Sequence, residues 1–266
     1  MKQLKILILI LLPLSFLIAN ENYTDKYLYM SLGNGYGHIK DSGTSPLTYH
    51  GALSQANVSF LKENSKNTIN FLLHASGMVA LAGGNSLNYF KTGLEIDYMH
   101  DLPFFNNNNY QVHIGSDFNI DLQGIYSPAY ENAAFNLDMM IKLSLSTRFA
   151  YTFNIKEKQL KIAGLYLNIK EQQYTPYFKL NIPVLTFNGR PEYAYVNVND
   201  LGFFDRHYYF GGIPLSTELG IKKHLPNGNL ISLAYAWDMF YSGKKDIYLL
   251  ELGSHQLQLS LYFKLN

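Results

Sequence analysis

Cysteine is absent from the 266 residues. This excludes disulfides, thiolate metal sites and a lipid anchor on an acylated cysteine, so stability must come from packing and a satisfied backbone. Long apolar runs are also missing after the first 20 residues, so no later segment offers the ~20 apolar residues of a spanning helix. Any membrane span beyond that point would have to be made of strands. Charge of one sign is lacking: 21 basic against 20 acidic residues leave a net +1, which removes the electrostatic case for nucleic acid as a partner. Tryptophan occurs once, whereas Tyr (22) and Phe (17) are abundant. Abundant aromatics fit the interfacial girdles of a membrane barrel and fit strands in general, so composition leaves both readings open.

Alternation is what the chain has instead. Within residues 109–153, Tyr110, Val112, Ile114, Phe118, Ile120 and Leu122 share one face, opposite Gln111, His113, Asp117, Asn119, Asp121 and Gln123. Phe135, Leu137, Met139, Ile141, Leu143 and Leu145 then oppose Asn136, Asp138, Lys142, Ser144, Ser146 and Arg148. A period of two marks strands with unlike surroundings on their two faces. These runs exceed the five or six residues usual in soluble sheets and suit a tilted strand crossing a bilayer, about nine to eleven residues.

Residues 1–20 read as a signal peptide: Lys2 and Lys5, then the apolar Ile6 to Leu17, then Ala19 before the cut. The apolar run is short for an uncleaved anchor. From 21 to 266 a single domain is expected. Strand-like segments fall at 26–33, 47–62, 67–79, 87–100, 159–170, 174–186, 193–198, 215–222, 231–238 and 256–265, besides the two above. Turn signals separate them, such as Pro226-Asn227-Gly228-Asn229. A slip of phase at Ala163-Gly164 suggests a bulge, and Pro183, which lacks a donor, should perturb its ladder. Asp200 to Gly212 reads as a loop.

The last run, Leu257, Leu259, Leu261, Phe263 and Leu265 alternating with Gln256, Gln258, Ser260, Tyr262 and Lys264, is the cleanest. With an export signal and amphipathic strands ahead of it, the chain resembles bacterial outer-membrane β-barrel proteins. The resemblance implies an all-β, transmembrane antiparallel barrel of about 12 strands in the cell outer membrane. It also implies contact with outer-membrane lipid, and recognition of the last strand by the barrel assembly machinery. In that family the last residue is usually aromatic; here it is Asn266, with Phe263 three residues earlier. Termini on the periplasmic side would put 63–67, 101–109, 156–158, 187–191 and 225–229 there. Residues 38–46, 80–86, 124–132, 171–173, 199–212 and 243–253 would face outward.

Three groups carry candidate chemistry. His74 and Ser76, two apart on one strand face, could act as base and nucleophile. They are similar to the His-x-Ser of outer-membrane phospholipase A and lipid A deacylases, whose Ser is followed by Asn and whose catalytic groups face lipid. Here Gly77 follows, the pair falls on the polar face, and only Asn85, across a turn, suggests itself as an orienting group. The second group is a set of inward charges: Lys91, Glu95, Asp97, His113, Asp117, Asp121, Asp138, Lys142, Arg148, Glu218, Lys222 and Asp238. Their mixed signs favour a cross-strand network that fills the barrel over a charge-selective pore. Asp117, Asp121 and Asp138 match no calcium-loop spacing, and no metal or other cofactor is expected. The third group, the aromatic stretch 203–210, reads equally as a surface contact or as part of the barrel mouth or girdle. The expected function is a non-enzymatic structural or accessory subunit of an outer-membrane assembly, with an outer-membrane protein as partner. A narrow, porin-like solute channel is the alternative, and a lipid acyl hydrolase using His74 and Ser76 is a more distant one. A soluble β-sandwich or lipocalin-like barrel would face its polar side outward and need fewer strands.

Overall fold

The computed structural model describes residues 25–42, 44–64, 66–105, 109–129, 135–162, 165–169, 171–191, 206–244 and 247–265. The expected signal peptide and the strand at 193–198 lie outside these. Six long strands come first: β1 (Asp25–Asp41), β2 (Thr48–Glu63), β3 (Asn67–Ala82), β4 (Asn85–Asp101), β5 (Tyr110–Tyr126) and β6 (Phe135–Tyr151). They pair antiparallel in sequence order. After β7 (Phe153–Ile155) and a small hairpin, β8 (Lys158–Ile162) and β9 (Leu165–Ile169), the chain returns as β10 (Gln172–Pro191). Then come β11 (Arg206–Phe210), β12 (Ile213–His224), β13 (Leu230–Lys244) and β14 (Ile247–Leu265). β10 pairs with β6 on one edge and with β12 on the other, and β14 pairs with β1, so the ladder closes.

Among the described residues the closed barrel has 10 strands, not the 12 expected. β7 continues β6 beyond Thr152, and β11 continues β12 beyond Gly211-Gly212. Residues 159–170 alternate well enough for a strand, yet they fold back as β8–β9, with Ile162 opposite Leu165. The phase slip read as a bulge at Ala163-Gly164 lies outside the described residues. Pairing of Phe153 with Tyr174 already completes the ladder, so the hairpin stands outside it. It also moves 171–173 to the end that carries the termini, and 187–191 into β10, reversing both placements expected for them. Part of the expected loop 200–212 is likewise strand, as Phe187 to Pro191 pair with β11. The expected loop at 243–253 shrinks to the short link between β13 and β14.

Closure requires tilted, staggered strands. A line of hydrogen-bonded partners leaving β10 at Pro176 runs once round the wall and returns to β10 at Gly189. The irregularity expected at Pro183 is present as a register shift between Pro183 and Leu185 against β6. It puts Val184 and Leu185 both outside, and brings Thr186 and Asn188 in. Short turns are held by side chains: Asn64 Oδ1 accepts from the backbone N–H of Lys66 (2.8 Å) and of Asn67 (2.6 Å).

The two faces are unlike. Leu32 (67% exposed), Leu73 (61%) and Leu257 (57%) point outward, while Asp121 and Gln123 are fully buried inside. An apolar exterior over a charged interior is the inverse of a soluble barrel.

Candidate functional site in the barrel interior

Strand parity brings twelve charged groups named from the sequence into the interior. Lys91, Glu95, Asp117, Lys142 and Asp238 line an upper cavity, and Asp97, Arg148, Glu218 and Lys222 line a lower one. His113 and Asp138 are buried beside them, and Asp121 is at the centre of a charge cluster.

Asp121 gathers three strands. Its Oδ2 lies 2.7 Å from Lys142 Nζ on β6 and 3.7 Å from Lys91 Nζ on β4. Its Oδ1 lies 2.8 Å from His74 Nε2 on β3, two strands away. That reach depends on Gly93 of β4, which pairs with both His74 and Asp121 in the ladder. With no side chain at Gly93, the imidazole and carboxylate meet above it. A Cβ there would lie 2.4 Å from Asp121 Oδ1 and 2.8 Å from His74 Nε2. Gly93→Ala therefore forces this contact apart, with an expected loss of about 1–3 kcal/mol in urea unfolding of the refolded barrel.

His74 thus takes its partner from β5, not from Asn85, which starts β4 opposite Ala82. Ser76 lines the same interior cavity, away from lipid. The sequence could not indicate Asp121 as the histidine's partner, because the contact is set by register across two strand pairs and not by spacing.

Below the cluster, Lys179 Nζ lies 2.8 Å from Asp97 and 3.6 Å from Glu95. Lys179 had gone unremarked in the sequence, although its alternation with Phe178 and Leu180 placed it inward. Arg148 approaches Thr68 Oγ1 (3.5 Å) and His113 Nε2 (3.4 Å), and His113 is 3.7 Å from Asp101. Tyr177 donates to Glu218, and Lys222 sits 5.3 Å over the rings of both Tyr177 and Tyr262. Asp138 accepts from Gln123 Nε2 (3.2 Å), whose Oε1 accepts from Tyr89 (3.3 Å).

Each end of this polar interior carries an apolar cluster. At the end away from the termini, Ile39, Tyr49, Met78, Leu87, Ile125, Met140, Phe240 and Leu250 form one buried cluster. At the terminal end, Tyr27, Leu61, Leu230 and Tyr262 form another, with Tyr29 stacked on Tyr262 at 4.6 Å. Of the aromatic stretch 203–210, only the backbone of β11 lies within the described residues.

No family model matches the chain, and no curated protein matches it in sequence. Solved structures similar to it include the transport unit of the autotransporter AIDA-I from Escherichia coli, at 9% identity and TM-score 0.49, over 92% of this chain and 91% of that one. The outer membrane protease OmpT from E. coli is similar at 9% identity and TM-score 0.46, over 93% and 99%. The translocator domain of the autotransporter NalP from Neisseria meningitidis follows at 10% identity and TM-score 0.40, over 94% and 91%. The class follows from the chain itself. A closed antiparallel ladder with a lipid-type exterior and a buried, charged interior defines a transmembrane β-barrel, the fold of outer-membrane barrel proteins.

Proposed function

We propose that this barrel is a non-conducting, non-enzymatic accessory subunit of an outer-membrane assembly. The observation that carries the reading is the interior, narrowed by an apolar cluster at each end and tied between them by the Lys142–Asp121 pair of neighbouring strands and the Lys179–Asp97 pair that reaches from β10 to β4. Ion pairs inside a narrow bore hold strands together and constrict the path of a permeating solute. His74 and Ser76 face this interior, out of reach of acyl chains, and His74 is engaged by Asp121.

The outer wall supplies a surface for a neighbour. On β1, β2 and β3 the bulky apolar exterior gives way to Asn34, Ser54, Ala56, Ala75 and Gly77, which line a shallow groove. Ser54 donates to Asn34 Oδ1 at 2.9 Å on the exposed face. Small residues let another wall approach closely, and polar groups facing lipid gain from a protein partner. A Cβ at Gly77 would meet only the backbone oxygen of Tyr89, at an ordinary contact distance of 3.8 Å, so Gly77→Trp fills the groove without disturbing the barrel. Gentle detergent extraction followed by mass spectrometry is expected to recover a stoichiometric partner with the wild type. Gly77→Trp should fold normally and lose that partner at least severalfold. A wild-type barrel recovered alone as a monomer rules the accessory role out.

A further inference from the structure

The upper cavity holds more acceptors than its own cations serve. Glu95, Asp117 and Asn119 line it together, with Asp238 and Gln256 alongside. Asp117 is 5% exposed and Asn119 4%, yet Asp117 Oδ2, Asn119 Oδ1 and Gln256 Oε1 have no hydrogen-bond partner among the described residues. Glu95 stands opposite Asn119 in the β4–β5 ladder and Asp117 is the next inward residue of β5, so the two carboxyls face the same cavity from neighbouring strands. Two carboxylates so placed repel unless a proton or a cation stands between them. The nearby lysines are already engaged. Lys91 and Lys142 bind Asp121, and Lys179 is shared between Asp97 at 2.8 Å and Glu95 at 3.6 Å, which leaves Asp117 without one. Among the described residues no cation lies within 4.0 Å of Asp117.

We propose that this cavity binds a small primary ammonium group, held between Glu95 and Asp117 and capped by Asn119 Oδ1. The chemistry of the orphaned atoms selects that class. They are acceptors, so the occupant must bring N–H or O–H donors, and the surplus of carboxylates asks for positive charge. No three His, Asp or Glu side chains among the described residues converge to hold a metal ion, which sets a chelated metal aside. An –NH3+ head offers three donors on one small charge, enough for two carboxylates and an amide oxygen at once. Water would serve the amide oxygen and leave the carboxylate repulsion in place. This inference is independent of whether the barrel serves an assembly.

Titration of the detergent-solubilised full-length barrel tests it, with binding followed by calorimetry and by the urea midpoint. Methylammonium and 1,4-diaminobutane are expected to bind and raise the midpoint. Tetramethylammonium, equal in charge but without N–H donors, should do neither. Asp117→Asn, which keeps the shape and removes one carboxylate, should weaken methylammonium about tenfold or more. The proposal is overturned if methylammonium has no effect on the wild type, because a shared proton or water then serves these groups. It is equally overturned if tetramethylammonium acts as strongly, or if the Asp117→Asn barrel binds as the wild type does. The comparison of the two cations on the wild type stands even if the variant fails to fold.

Discussion

Replacing Asp121 with Asn is expected to lower the unfolding free energy of the barrel by about 3–5 kcal/mol, the range for breaking one side of a buried ion pair. Asn keeps the volume and one acceptor, so packing changes little. What disappears is the negative charge that faces Lys142 at 2.7 Å and Lys91 at 3.7 Å. Both lysines are then left in the interior of a membrane barrel, next to Tyr89 and Met140 of the apolar cluster. The barrel can relieve this by admitting water or by turning the lysines toward the other carboxylates of the cavity, and either route is costly. Urea unfolding in lipid vesicles reads the loss directly. The companion Lys142→Met removes one of the stranded charges and fills its volume with apolar atoms. In the double variant the two losses should therefore add to less than their sum, by about 1–3 kcal/mol, the coupling of groups in one network. Strict additivity would show that Asp121 and Lys142 do not act as a pair.

How much of this was legible beforehand divides along one physical line. Whatever depends on the period of two could be read, because side-chain direction is a local property of an extended backbone. The outward faces of β5, β6 and β14, and the inward placement of all twelve charges, come from that period. The disturbance at Pro183 was legible for a similar reason, since a missing N–H acts where it stands. Register is different. That His74 meets Asp121 over Gly93 follows from which residue of β4 lies opposite which residues of β3 and β5. No spacing within one strand encodes that. The strand count failed at the same point. Residues 159–170 have the alternation of a wall strand, and only the closure of the ladder by β7 with β10 leaves them outside it. The apolar clusters at the two ends were missed because Met78, Leu87, Ile125, Met140 and Phe240 sit on the polar face of their strands. They break the alternation near strand ends, where such breaks look like fraying toward a loop.

Those clusters set up the second large expected effect, in ion conduction. The upper and lower cavities share Gln55, Leu72, Glu95, Asn181, Ser216 and Asp238, so the interior is one polar space between its two apolar ends. An apolar constriction blocks ions by excluding water, and one such barrier is enough. Opening one end alone should therefore leave the barrel silent. Met140→Ala with Phe240→Ala removes bulk from the end away from the termini, and Tyr262→Ala removes it from the other. Each truncation carries a stability cost of about 2–5 kcal/mol, as for large side chains cut back in a packed core, so folding is checked first by heat-modified gel mobility. In planar bilayers the wild type, the double variant and the Tyr262→Ala variant should all show no steps above the leak. The triple variant should show discrete steps. The Lys179 and Lys142 ion pairs that remain inside the bore make that current small and sensitive to added charge changes at Asp97 and Asp121. Steps in the wild type of the same size as in the triple variant would show that the end clusters do not seal the barrel. They would also return the narrow solute channel to first place. Steps after truncating a single end would show that the other cluster is no barrier, and the seal would then belong to one end of the barrel alone.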